Sequence, residues 1–439
     1  MGLPVLSEFN SPAAVFSKMA CYIEGAIDAE GTIMPLCSTL SRSAALAVSV
    51  LLAAPAAALA QASGPQGEFA RYAEYNENSS ITIDYTAFDD ILGGLVFEVG
   101  RSDRQPGRGR SIRTGTRISL ESNSRYRYEA NRVVFHALED VHKEAISAYR
   151  RELERLPAAI GLERLSDNAQ LAFWLNLHNV VVLDEIAQRY PVSRIDRIRI
   201  DGEPLHEADI IDLGDHRISL NDIRFNIIGA LYDDPRVMYG FYSGAVGGPT
   251  LQGEAFSGAT VWSQLTANAE EFVNALRGVE SAHYGFRISP LYENWRPVMF
   301  PDWPDDLRLH LRQFAEGPAR ATITAGAEPD FLRYDWSIAD LTNGVGECGG
   351  QSSFNIRTVS GEMGQAGQGG CGTLPAHAQD FVVTVQQRRL EFLRQGRMGS
   401  VTIRDIDSPD PDEEDETPSA NARRITIDGE PVEDGDGSR

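Results

Sequence analysis

Asn168-Ala-Gln-Leu-Ala-Phe-Trp-Leu-Asn-Leu-His-Asn-Val-Val-Val-Leu-Asp-Glu-Ile-Ala-Gln188 decides the fold. Its apolar residues run almost all the way round a helix, so the pattern predicts a helix buried on every side. Such a helix needs neighbours to cover it. Residues 138–156 predict one cover, an amphipathic helix with Leu138, Val141, Ala145, Tyr149, Leu153 and Leu156 at helical spacing. Ser219-Leu-Asn-Asp222 is a capping-box-like start for a second, running to about Leu231. Residues 260–277 predict a third, capped by Thr260 and stopped by Gly278. Asp305 to Phe314 reads as a short helix and residues 375–395 as the last long one. Strand signals are few and brief: Ile81 to Tyr85 turning into a helix, Arg197 to Ile200 before the Asp201-Gly202 turn, Arg217-Ile218, and Asp330 to Ser337. The expected fold class is therefore α+β, a helix-dominated single domain with a small, mainly antiparallel sheet. Ile198 to Pro204 and Ile425 to Pro431 share Ile-x-Ile-Asp-Gly-Glu-Pro, but two isolated copies do not make a repeat architecture.

Outward from this core, the two ends differ in composition. Pro35 to Ser43 is polar and contains Arg42; Ala44 to Ala60 is apolar, broken only by Ser49 and Pro55; Ala58-Leu59-Ala60 then gives a small-x-small exit. These are the parts of a secretory signal over residues 34–60, with cleavage after Ala60 or Ala62. The run is short for a span of roughly 20 apolar residues, so it reads as cleaved rather than as an anchor, with no transmembrane segment in the mature chain. Residues 1–33 fit no signal template and read as an over-extended start, with Met19 and Met34 as alternative first residues. Residues 61–400 are the expected globular domain. The chain carries 63 acidic and 40 basic residues, a net charge of −23. Much of the excess lies in residues 405–439, where Asp410 to Glu416 is almost continuous charge, and such a tail is expected to be disordered. Net acidity without a basic face argues against nucleic acid as a partner.

Removing the leader leaves two cysteines, Cys348 and Cys371, in a Gly-rich stretch over residues 344–373 that reads as a loop. An even count in an oxidising compartment favours one disulfide between them. With His377 a three-ligand metal site is conceivable, but the spacing matches no zinc pattern, so no metal and no cofactor is expected. Residues 101–117 hold six arginines, Arg101, Arg104, Arg108, Arg110, Arg113 and Arg117. They form a solvated insertion, or else a dock for the acidic run 410–416 or for an acidic surface outside the cell membrane.

Ala172-Phe-Trp-Leu-Asn-Leu-His-Asn179, Tyr190-Pro191, Ile218-Ser-Leu-Asn-Asp-Ile223, Asp234-Pro-Arg-Val237, Gly248-Pro-Thr-Leu251 and Tyr334-Asp-Trp-Ser337 occur in an order that resembles domain-of-unknown-function family 547, with the core at residues 171–337. The resemblance implies a scaffold with no established biochemical activity. In the family's pattern a Glu follows the Asp-Ile of the capped helix and a His follows the Asp-Pro-Arg-Ile run. Two Cys come next, in Asn-Cys-Gly and Ser-Cys-Pro-Pro. A Cys, a His and a Glu together imply thiol chemistry: a thiolate, a base to activate it and an orienting carboxylate. In this chain those positions are Arg224, Met238, Ser243 and Gly248. Every group that would run that chemistry is changed.

Asn176 and Asn179 are retained, three apart on an otherwise apolar helix, and share a face. Buried amides must find partners, so both are expected to tie this helix to the loop at 242–250, the alternative being to orient a ligand. Trp174 and Trp336 are expected in the core, and His178 as a hydrogen-bonded core histidine. Ser243 reads as a turn serine, since Met238 cannot accept its proton. The sequence thus points to an exported, non-catalytic binding or structural domain for an unknown ligand or protein partner. The alternative is a hydrolase or transferase acting on peptide or cell-envelope material, with displaced groups such as Ser243 and His178.

Overall fold

A computed structural model of the chain describes residues 64–107, 124–323, 328–344, 376–395 and 424–425. At its centre is the helix Asp167–Arg189, buried at every residue from Ala169 to Ala187. Ser166 caps it, its hydroxyl accepting from the Ala169 amide. The helix Asp140–Ile160 lies along one side, and the Asp222–Ile228 and Val261–Asn274 helices cover others. A helix wrapped this way has no wet face, which is why its sequence shows no amphipathic stripe.

The stripe expected on the Asp140–Ile160 helix is displaced. Ile146, Tyr149, Leu153, Leu156 and Ile160 face inward, whereas Ala145 and Val141 are exposed, Val141 at 67 %. The true stripe begins at Ile146, beside Ala145, and Leu138 precedes the helix altogether. Ser219 and Asp222 form the expected reciprocal cap: the Asp222 carboxylate accepts from the Ser219 amide at 2.8 Å, and the Ser219 hydroxyl accepts from the Asp222 amide at 3.1 Å. The helix it opens is π-wound over Asp222–Ile228 before returning to α over Gly229–Leu231. Val261–Asn274 is helical as expected, but the Thr260 side chain makes no cap bond to it and it ends before Gly278.

The structure is a helix-dominated α+β fold, with its strands in small, mostly antiparallel pieces. Arg199–Ile200 pairs with Glu203–Pro204 across Asp201 and Gly202, both at positive φ (52° and 95°), as a tight hairpin turn requires. Val279–Ser281 and Phe286–Ile288 are antiparallel, with Asp330–Phe331 added in parallel. The segment that follows stitches three parts of the chain together. Trp336 O and Ile338 N bond Ile195 N and Ser193 O. Asp335 O, Ser337 O and Ala339 N bond Gly247 N, Val246 N and Gly244 O; Ala339 O and Leu341 N bond Val133. Trp336, expected in the core, is instead 39 % exposed and lies against Tyr334 with ring centroids 4.4 Å apart. Its backbone serves the sheet while its ring stays outside, a common fate for so large a side chain.

The Ala376–Arg394 helix packs on a smaller core formed by Phe97, Val99, Val134, Leu341 and its own Phe381 and Val385. Arg101 pairs with Glu316 at 3.1 Å, and Arg104 donates to the carbonyls of Asn274 and Val279. These two arginines hold surface segments together. Arg108 to Arg117, the leader, Cys348, Cys371 and the acidic run 410–416 lie outside the described residues. No helix among the described residues is long and apolar enough to cross a membrane.

Candidate functional site

Ser243 and Gly248 sit on the turn that leads away from the 3-10 helix Pro235–Gly240. A Cβ placed on Gly248 would meet Ser243 Oγ at 2.0 Å and Tyr334 OH at 2.6 Å. The two positions are thus side by side, and the room a side chain at 248 would need is already filled. The Tyr334 hydroxyl donates to Ser243 Oγ at 3.1 Å, and the Ala245 amide donates to the same oxygen at 3.3 Å. Burial pushes the Tyr334 phenol up, so it stays a donor. The buried Arg277 guanidinium fixes the turn from behind, donating from Nε to Gly248 O at 3.2 Å and from a terminal nitrogen to Glu271 at 2.5 Å.

Two histidines stand near Ser243. His178 and His206 are stacked almost parallel, 11° apart, with centroids at 6.2 Å. Burial, then the charge of Arg224, pulls both rings down, His206 to about 3. Both are neutral at ordinary pH. Asn179 Oδ1 accepts from the Tyr242 amide at 2.9 Å, so it is the oxygen of that amide. His178 Nδ1, 3.1 Å from it, must therefore carry the hydrogen, which leaves Nε2 bare. His206 Nδ1 has no hydrogen-bond partner among the described residues. Neither ring bonds a carboxylate, and no histidine nitrogen bonds Ser243 Oγ among the described residues.

Arg224 lies in the π-wound stretch, where the extra residue per turn re-aims side chains. Burial lowers it to about 10. It is half-buried as a residue, but its Nε is closed off from solvent without a partner. Of the positions singled out in the sequence, His178, Arg224, Ser243 and Gly248 therefore come together. Met238 is fully buried in the main core. Asn179 does tie the central helix to the turn, donating to Gly240 O at 2.9 Å as well as accepting from Tyr242. Asn176 goes elsewhere: it accepts from Phe256 N at 2.9 Å and donates to Phe256 O at 2.8 Å. A cavity of about 10 Å³ between these two asparagines, Thr250 and Asn268 has room for about one water.

His206 and Tyr334 are members of the cluster that sequence reasoning did not select as site residues. His206 follows a hairpin with no motif around it; Tyr334 stood in one of the family-like segments, Tyr334-Asp-Trp-Ser337, without a role assigned to it. A cavity of about 110 Å³ lies elsewhere, lined by Arg127, Arg132, Asp380, Phe381 and His377, the residue weighed in the sequence as a metal ligand beside the two cysteines. No group of three or more His, Cys, Asp or Glu side chains able to hold a metal ion occurs among the described residues.

Comparison with curated proteins gives no match, and comparison with solved structures gives none. Residues 162–273 match the family model described as "Protein of unknown function, DUF547". That match spans the central helix, the capped π-wound helix and the Ser243–Gly248 turn, so the segment that builds most of this cluster is similar to the DUF547 family.

Proposed function

We propose that this chain is an exported, non-catalytic domain that uses the DUF547 scaffold to hold a ligand or a partner. The observation that carries this reading is the environment of Ser243. A hydroxyl becomes a nucleophile only when a base takes its proton and an orienting group holds that base. Ser243 Oγ instead receives two hydrogen bonds, from Tyr334 and from Ala245 N. The nearby imidazoles lack a carboxylate, and a guanidinium beside them disfavours the protonated ring that catalysis would require. Export is supported by the signal-like run ending at Ala60.

Two experiments test this. Purified protein incubated with a fluorophosphonate probe is expected to stay unlabelled; labelling lost in Ser243→Ala overturns the non-catalytic reading. The mature protein is expected to begin at Gln61 or Ser63, and an intact mass retaining residues before Met34 overturns export.

A further inference from the structure

Arg132, Arg277 and Arg388 are the buried arginines among the described residues. Arg277 pairs with Glu271 at 2.5 Å and Arg388 with Asp103 at 3.5 Å. Arg132 pairs with no carboxylate among the described residues. Its guanidinium lies 5.1 Å from the centre of the Phe381 ring, and its hydrogen bonds go to main-chain carbonyls alone. Nη1 donates to Glu129 and Ala130, each at 2.7 Å, and at 3.5 Å to Asn131; Nη2 donates to Arg127 at 2.7 Å. Carbonyl dipoles ease a buried charge without neutralising it. Burial pulls Arg132 down to about 10 against the charges of Asp335 and Asp340, so it is still a cation at neutral pH. Both hydrogens on Nη1 and one on Nη2 are engaged, which leaves the Nε hydrogen and one on Nη2. Nε is not closed off from solvent.

The space that Arg132 lines is the cavity of about 110 Å³. Tyr128 and Phe381 wall it, their rings 11° from parallel with centroids 6.0 Å apart. Arg127, the other cation there, lies over the Tyr128 ring at 4.9 Å. His377, Asp380 and Phe381 stand three and four residues apart on the Ala376–Arg394 helix, so they share a face. His377 Nε2 donates to Thr342 O at 3.3 Å, which leaves Nδ1 as a lone pair in the neutral ring. The Asp380 side chain is exposed and forms no hydrogen bond or ion pair among the described residues. Arg132 and Asp380 thus line one space with opposite charges and do not pair with each other. An anion alone would answer Arg132 and meet Asp380; a cation alone would answer Asp380 and meet the arginines. Water would leave both charges unpaired, whereas a zwitterion answers both. A cavity of about 150 Å³ holds benzene, so this one suits roughly five non-hydrogen atoms, the size of glycine. We propose that Arg132, Asp380 and His377 bind a small amino acid, its carboxylate on the open Nε side of Arg132 and its ammonium between Asp380 and His377 Nδ1. The site lies outside residues 162–273 and shares no residue with the Ser243 cluster, so it goes beyond the function proposed there and does not depend on it.

The test is equilibrium dialysis of the purified full chain against radiolabelled glycine, at neutral pH and constant ionic strength in a buffer free of carboxylates and primary amines. Saturable uptake of one glycine per chain is expected, half complete below about 1 mM. Acetate and methylamine each carry one of the two charges, and neither is expected to displace glycine at about ten-fold excess. Asp380→Asn removes an exposed charge that pairs with nothing in the described protein, so the fold is expected to stand. Its affinity for glycine is expected to fall about five-fold, the upper end for a solvent-exposed charge pair. Arg132→Gln is expected to abolish uptake. It also releases main-chain carbonyls, so it counts only if its far-UV circular dichroism matches the wild type, and Asp380→Asn decides otherwise. Absence of saturable uptake up to about 10 mM overturns the proposal. So does an unchanged affinity in Asp380→Asn, or displacement by acetate or methylamine as effective as by unlabelled glycine. Fluorophosphonate labelling of Ser243 would end the non-catalytic reading without touching this result.

Discussion

At the scale of single residues, Asn179 and Gly248 have the sharpest consequences. Asn179 satisfies a buried backbone acceptor at Gly240 and a buried donor at Tyr242, and it sets the tautomer of His178. Asn179→Ala leaves both backbone groups unpaired. At about 1–3 kcal/mol per orphaned group, urea denaturation is expected to show a loss of about 2–6 kcal/mol. Gly248→Ala acts through space rather than hydrogen bonding. Its methyl would overlap Ser243 Oγ and Tyr334 OH, and overpacking of this kind costs about 1–3 kcal/mol. Adding Tyr334→Phe removes one of the two obstacles, so the double-mutant cycle should give a coupling above about 0.5 kcal/mol. Strict additivity would mean that the turn relaxes freely and that these side chains do not hold it.

At the scale of elements, the two longest central helices are joined by a buried charge network. Arg150 bonds Glu154 at 2.8 Å on its own helix, Glu185 at 2.6 Å and Asp184 at 3.1 Å on the central helix, and the carbonyl of Ile210. All four charged side chains are at most 12 % exposed. Burial pushes the Glu154 carboxyl up against the pull of Arg150. Arg150→Ala takes the cation from Glu154 and a donor from Asp184 and Glu185, which keep Ser147 and Arg189 respectively, and is expected to cost about 3–5 kcal/mol. Arg151→Ala, one residue on, removes an exposed pair with Glu144 and is expected to cost less than about 1 kcal/mol. Comparable losses in the two variants would show that the network does not bear on stability. This network was not legible in the sequence, because Asp184-Glu185 in an apolar run carries no signal of where its cation stands. The central helix itself was legible, since apolar residues on all sides admit only a buried helix. The Ser219–Asp222 cap was legible because its two partners are three residues apart. The stripe on residues 138–156 was misplaced because Val141 and Ala145 satisfy the same period as the true face. The candidate site was half legible: family positions 224, 243 and 248 converge with His178, but His206 and the exposure of Trp336 depend on distant segments.

At the scale of the whole molecule, these buried groups combine into a dependence on pH. His136, His178, His206 and His310 come from four separate segments, and burial is the first cause lowering each of them. Arg224 adds to it at His178 and His206, while Asp340 opposes it at His136 and Asp234 at His310. His310 falls to about 4, held neutral against the Tyr239 hydroxyl at 2.8 Å, and His206 to about 3. A folded-state pKa below the unfolded value of about 6.5 means that the unfolded chain takes up the proton first. The stability from these groups is therefore complete above pH 6.5 and is lost as pH falls from there toward 4 and 3. For His206 and His310 the loss between pH 7 and pH 5 is about 2 kcal/mol each, and His136 and His178 act in the same direction. Glu154 opposes them only nearer its own range, since a raised carboxyl favours the acid side. Urea denaturation at pH 7, 6 and 5 should therefore show a fall of at least about 4 kcal/mol, above the range in which ordinary carboxylates titrate. His310→Gln, which cannot take up a proton in either state, should flatten the dependence by about 2 kcal/mol over the same interval. An unchanged stability from pH 7 to 5 would mean that these rings take up protons alike in the folded and the unfolded chain, so that burial does not hold them neutral.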